Sequence, residues 1–323
     1  MPRRAYTILA VVVLLTAGCL GAGPDPVSEN ADDSEEAPEG DGSSDRGSSD
    51  EGSSDDRSSE EDASDDNETS AGSDDSSSGE TRSWPDPDEA SIRPGVQVTG
   101  TGQCTSNFLY RTPDNATLML GVAAHCVADA PQLGSNGCSD QVDPLEPGAQ
   151  VDIEGASQPG VLVYSSWFAM QAANVTDTTI CNENDFALVA IDPADRSKVH
   201  PAVRGVGGPT GLASDVAIGD EVRWYGSTSA SPRTTATSQH RGTVVSSTNW
   251  TFEAYSASPG IPGDSGSGVM LGDGGAAGVL VTVESVYPAA NGVTKLPPAL
   301  AFAADHGVSV ELVTWDQLSG PLA

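Results

Sequence analysis

Past residue 93 the chain shows little helical periodicity, and this constrains its fold more than any other feature. Apolar residues come in short or alternating runs: NFLYR, TLMLGVAA, AQVDIEG, GVLVYSS, DFALVAI, DEVRWYG, HRGTVVSS, GVMLG and AAGVLVTVES, with Gly, Pro, Asn and Asp between them. Many short strands at this spacing read as an antiparallel barrel or sandwich. About 230 residues suffice for two small packed barrels in one folded unit. The final ALAFAADHGVSVEL fits either a short helix or one more strand.

The preceding 92 residues cannot share that core. Residues 1–18 have a basic start and a short apolar run, MPRRAYTILAVVVLLTAG, which reads as a secretion signal. The apolar run is too short to span a bilayer comfortably. Arg3 and Arg4 form a twin-Arg pair, a signal for export. Thr16-Ala17-Gly18-Cys19 looks like a lipobox, in which the signal is removed before Cys19 and the thiol is lipidated. Residues 19–92 are expected to form a disordered stalk. They are Ser, Asp, Glu and Gly with almost no aromatic or β-branched residues, so burial cannot offset ordering entropy. From residue 20 to 92 there are 25 acidic and 3 basic residues, and self-repulsion keeps such a linker extended.

Residues 93–323 are acidic too, with 22 acidic and 9 basic residues. Lys198 and Lys295 are the only lysines of the whole chain. This balance resembles that of proteins from salt-loving archaea, where salt screens the repulsion. It also argues against a nucleic-acid partner, which would need a basic patch. Besides Cys19 the cysteines are Cys104, Cys126, Cys138 and Cys181, an even number in an exported chain, which suggests two disulfides among three pairings. Asn67, Asn115, Asn174 and Asn249 begin Asn-x-Ser/Thr sequons, consistent with an exterior location.

Three residues stand beside apolar strands in the order His125, Asp185, Ser265. A serine hydroxyl is a poor nucleophile at neutral pH and needs a base; imidazole titrates near neutrality and can return the proton to the leaving group. A carboxylate behind the imidazole fixes its tautomer and stabilises the imidazolium. Ser265 lies in GIPGDSGSGVM, a glycine-rich turn whose backbone can aim N–H groups at a developing oxyanion; Gly263 and Ser265 are the expected donors.

At these residues the sequence resembles the chymotrypsin-like serine endopeptidases. Val122-Ala123-Ala124-His125-Cys126 looks like the family's Thr-Ala-Ala-His-Cys, Asp185-Phe186-Ala187-Leu188 like its Asp-Ile-Ala-Leu, and Gly263-Asp264-Ser265-Gly266 matches its nucleophile motif. SQHRGTVVSS further resembles the bacterial streptogrisin-like branch. The resemblance implies an all-β, double antiparallel barrel over residues 93–323, a triad between the barrels and peptide-bond hydrolysis through an acyl-enzyme. It also implies a Cys104–Cys126 bridge, leaving Cys138 to Cys181. No cofactor or metal is implied: His125, His200, His240 and His306 lack ligand spacing. Polypeptide substrates are expected for a monomer held outside the cell by lipid at Cys19.

The chain departs from the family in two places. No Ile-Val-Gly-Gly amine is available to pair with Asp264, and Arg223 is one candidate cation. Counting back from Ser265 puts the specificity pocket near Pro259 and Gly260, where there is no acid to select Lys or Arg. His240 is a candidate for receiving acidic side chains, and Val279 to Ser285 is the candidate strand for pairing with extended substrate. The rival class is an inactive protease fold used as a surface binding or scaffold module, since a fold alone does not guarantee chemistry. An α/β-hydrolase esterase fits worse, because its Gly-x-Ser-x-Gly elbow and residue order do not match.

Overall fold

The computed structural model describes residues 84–130, 136–229, 235–283 and 290–316. Residues 1–83, which hold the expected leader, Cys19 and most of the expected stalk, lie outside the described residues.

Two sheets account for the expected strands. The first, in spatial order, joins Glu311–Leu312, Leu109–Arg111, Leu118–Val122, Ala187–Ala190, Gly160–Ser165, Gln150–Ile153, Gln97–Thr99 and Gln103–Thr105. All its pairings are antiparallel, and the sheet curls into an open half-barrel. The second runs Gly211–Leu212, which pairs in parallel at the edge, then Gly275–Val283, Gly268–Leu271, Glu221–Tyr225, Gln239–Ser247, Thr251–Tyr255 and Ala290–Lys295. Ala290–Lys295 pairs back onto Gly275–Val283, which closes a six-stranded barrel. The molecule therefore has the double β-barrel of the chymotrypsin-like fold.

Burial follows the strand patterns. Gln150–Ile153 alternates exposed and buried residues, with Val151 and Ile153 inward. Leu118–Val122 is buried throughout, because one face meets the barrel core and the other faces the second barrel. Phe108, Tyr110, Phe186 and Leu188 of the first half pack with Tyr225, Met270, Ala276 and Val279 of the second in one cluster. Apolar residues form the seam, so the two halves hold the cleft between them rigidly.

The final segment forms both elements that its sequence allowed. Leu296–Asp305 is a helix that buries Leu296, Ala299 and Ala303 on one face, at helical spacing. The chain then returns as Glu311–Leu312 along Leu109–Arg111 of the first sheet. Residues 84–92, grouped by composition with the stalk, pack on the barrel. Ile92 is fully buried, and its amide donates to the Lys198 carbonyl. Trp84 joins the edge of the first core. Acidic composition masked these few apolar anchors.

Candidate active site

Strand pairing brings His125 and Asp185 together. Leu118–Val122 and Ala187–Ala190 run antiparallel with Val122 opposite Ala187, so the residue groups just beyond those partners emerge at the same end. His125 sits there on a short 3-10 turn, Ala124–Val127. Its Nδ1 lies 2.7 Å from Asp185 Oδ2, and its backbone N–H donates to Asp185 Oδ1 at 2.9 Å. Both carboxylate oxygens are thus engaged by one residue, which fixes the ring and directs Nε2 away from the acid. Burial lowers the His125 pKa, but the charge of Asp185 and its hydrogen bond outweigh that, and the imidazole ends above its ordinary value.

A disulfide-tied helix, Thr178–Glu183, leads into Asp185. It is capped by the Asp177 side chain, which accepts from the Thr179 and Ile180 amides. Cys181 on that helix is bonded to Cys138, closing a separation of 43 residues. The other disulfide joins Cys104 to Cys126 beside His125. Both pairings are those implied by the family resemblance. Cys104, His125 and Cys126 converge within 4.8 Å, but the two sulfurs are bonded to each other and offer no thiolate to a metal.

Ser265 reaches the site from the second barrel. Its turn is stitched to the edge strand of the first: the Thr105 amide donates to the Ser265 carbonyl at 2.8 Å, and Thr105 Oγ1 donates to the Gly263 carbonyl at 2.8 Å. The Ser227 amide in turn donates to Thr105 Oγ1, and Thr228 Oγ1 donates to the Pro262 carbonyl. Gly263 holds φ +99°, and a Cβ there would meet Thr228 Oγ1 at 2.6 Å. Only glycine suits that position. The Gly263 and Ser265 amides donate to no other described residue, whereas their neighbours Asp264 and Gly266 donate to the Ile261 and Leu280 carbonyls. His125, Asp185, Gly263, Ser265, Trp167 and Val281 line one cleft of about 570 Å³.

The sequence did not point to Thr105 or Trp167. Thr105 is fully buried and joins the two barrels; Gln103–Thr105 has only three residues, too few for alternation to register. Trp167 stands with its ring centroid 6.3 Å from that of His125, on a helix, Ser166–Ala172, that begins at the last residue of the strand-like GVLVYSS run. Its N-cap Ser165, which accepts from the Phe168 amide, was the readable signal.

Two sequence expectations need correction. Arg223 does not reach Asp264. Strand alternation buries Val222 and Trp224 and turns Arg223 outward, where it pairs with Glu221 at 3.4 Å. His240 does not line an open pocket; its side chain is 3 % exposed and stacks on Trp224 at a centroid distance of 5.2 Å. At the counted pocket base, the Gly260 amide donates to the buried Asn291 Oδ1. Val281 and Thr282 of the expected substrate strand line the cleft, while Glu284 and Ser285 lie outside the described residues.

No protein-family profile matches the chain, and no curated protein matches it. Among solved structures it is similar to protease A of Thermobifida fusca, at 19 % identity over 69 % of this chain and 98 % of that one, with a TM-score of 0.45. It is similar to the Nocardiopsis protease at 18 % identity over 68 % of this chain and 98 % of the other, TM-score 0.44. A glutamic-acid-specific serine protease described as using a histidine triad in substrate binding is similar at 17 % identity over 69 % and 100 %, TM-score 0.45.

Proposed function

We propose that this protein is a serine endopeptidase acting through an acyl-enzyme, with Ser265 as nucleophile, His125 as general base and then acid, and Asp185 as the group that orients the imidazole. The observation that carries this reading is the doubly engaged carboxylate: Asp185 grips both the backbone and Nδ1 of His125, and the same cleft holds Ser265. Ser265 Oγ attacks the scissile carbonyl as its proton passes to His125 Nε2. The carbonyl oxygen gains charge and is met by the Gly263 and Ser265 amides, which donate to no other described residue. The imidazolium then protonates the departing amine, and water hydrolyses the ester by the same route in reverse. Extended substrate pairs along Gly275–Val283, at Val281 and Thr282. In the same reading a lipid at Cys19 and an extended acidic stalk hold the enzyme outside the cell as a monomer.

The direct test is labelling of the full chain with a fluorophosphonate in high salt, beside Ser265→Ala and His125→Ala. Label on the wild type that disappears in both variants is the expected result. A folded wild type that takes no label would overturn the proposal in favour of a binding module. The raised His125 value adds a pH prediction. Labelling falls as the imidazole protonates, so its acid limb is expected at a midpoint above the ordinary 6.5. A midpoint at or below that value, from labelling rate against pH, would contradict the Asp185 contact. The same raised value contributes stability that is fully present below the unfolded imidazole's pKa and is lost as pH rises through the folded one.

A further inference from the structure

Asp264, beside the nucleophile, is 99 % buried and has no arginine or lysine against it among the described residues. Its nearest charged neighbour is a histidine: His240 Nε2 lies 3.7 Å from Asp264 Oδ2. The histidine is held so that its protonation is constrained. Nδ1 lies 2.7 Å from the Ser258 carbonyl, an acceptor, so Nδ1 must carry a proton. Among the described residues neither Nε2 nor Asp264 Oδ1 has a hydrogen-bond partner. A neutral ring would therefore aim a lone pair at a buried carboxylate, an arrangement both partners oppose. One additional proton, on either partner, removes the conflict.

We propose that His240 and Asp264 share a single proton as a buried pair of zero net charge, and that this pair is what sets the shape of the Gly263–Ser265 turn. His240 is thus a positioning residue, and the inference rests on the role proposed above for Ser265. The transmission is short. The carboxylate fixes the loop before the nucleophile, where Asp264 Oδ2 accepts from the Ile261 amide, and the Asp264 backbone carbonyl, accepting from Ser267 Oγ, ties the same residue to the loop after it. Burial pushes the Asp264 carboxyl above its ordinary value, against the Ile261 amide, His240 and the Thr228 amide, consistent with a proton held in the pair. Other charged groups on the surrounding strands are directed elsewhere: Arg223 to Glu221, Arg241 to solvent, Glu253 to Ser246, and Lys295 to Ser247 and Thr248.

The test uses full-length protein with its four histidines labelled with ¹⁵N. A His240 ring signal whose Nε2 is protonated or strongly hydrogen-bonded, identified by its loss in His240→Gln and displaced in Asp264→Asn, is expected. A free lone pair on Nε2 overturns the proposal in the wild type alone, whatever the folding of the variants. Fluorophosphonate labelling and peptide kinetics then read the consequence. Each single variant is expected to slow acylation about tenfold or more with little change in KM, and the double variant to be no slower than the slower single. Multiplying effects, or His240→Gln at the wild-type rate, would overturn the positioning role. A wild type with the expected ring signal but no label would sink the proposed activity and leave the pair standing.

Discussion

Asp185→Asn is expected to lower kcat for peptide hydrolysis about ten-thousandfold and to leave the thermal midpoint of unfolding nearly unchanged. The size follows from how the carboxylate is used. Oδ1 accepts the His125 backbone N–H, and Oδ2 faces Nδ1 at 2.7 Å. An asparagine would keep its oxygen on the backbone amide and present its NH₂ to Nδ1. The ring would then carry its proton on Nε2, facing Ser265, and be unable to accept another. Both contacts survive as hydrogen bonds, the second with its direction reversed, so the fold loses little. The acid limb of labelling should also move to lower pH, because the charge that raises the His125 value is gone. A variant within tenfold of wild-type kcat would show that Asp185 does not set the tautomer.

Gly266→Ala is expected to have the largest structural effect of a one-methyl change. Gly266 holds φ +89°, and a Cβ there would run into the Thr105 carbonyl oxygen. Left-handed backbone strain costs about 1–3 kcal/mol, and overpacking against an immovable neighbour adds a similar amount. The expected loss is about 3–5 kcal/mol, or about 10 °C in Tm for a domain of this size. Labelling of Ser265 should fall too, since the Thr105 amide that would be displaced donates to the Ser265 carbonyl. Gly307→Ala is the control: its φ is +88°, but nothing lies within 4 Å of a Cβ there. It should cost only the strain, about 1 kcal/mol, with labelling intact. Equal losses in the two variants, measured by thermal melts, would show that the approach of Thr105 to the turn is not what requires glycine at 266.

The strand-rich class was written in short apolar runs because a strand's side-chain period is local, readable within five or six residues. Leu118–Val122, Gly160–Ser165 and Glu221–Tyr225 fall where those runs lie. Gln97–Thr99 and Gln103–Thr105 were not legible: three residues carry too little pattern, and they are strands because their neighbours supply the hydrogen bonds. Ala290–Lys295 includes Asn291-Gly292, which reads locally as a turn; pairing on both sides within the closed barrel overrides that preference.

His125, Asp185 and Ser265 could be named as candidates because nucleophile, base and carboxylate each need a particular functional group, and each residue stood in a distinctive local setting. Those requirements are chemical and survive in one dimension. What the sequence by itself determined is therefore the strand-built class, the acidic, segregated composition of residues 20–92, and His125, Asp185 and Ser265 as the candidates for the proposed chemistry. Only the tertiary structure decided which groups touch. It turned Arg223 outward, buried His240 against Asp264, made Thr105 the tie between the barrels and set Val122 opposite Ala187 so that His125 meets Asp185. Such contacts depend on register and burial across separations of many tens of residues, and a one-residue slip would reverse every side chain on a strand without altering its local pattern.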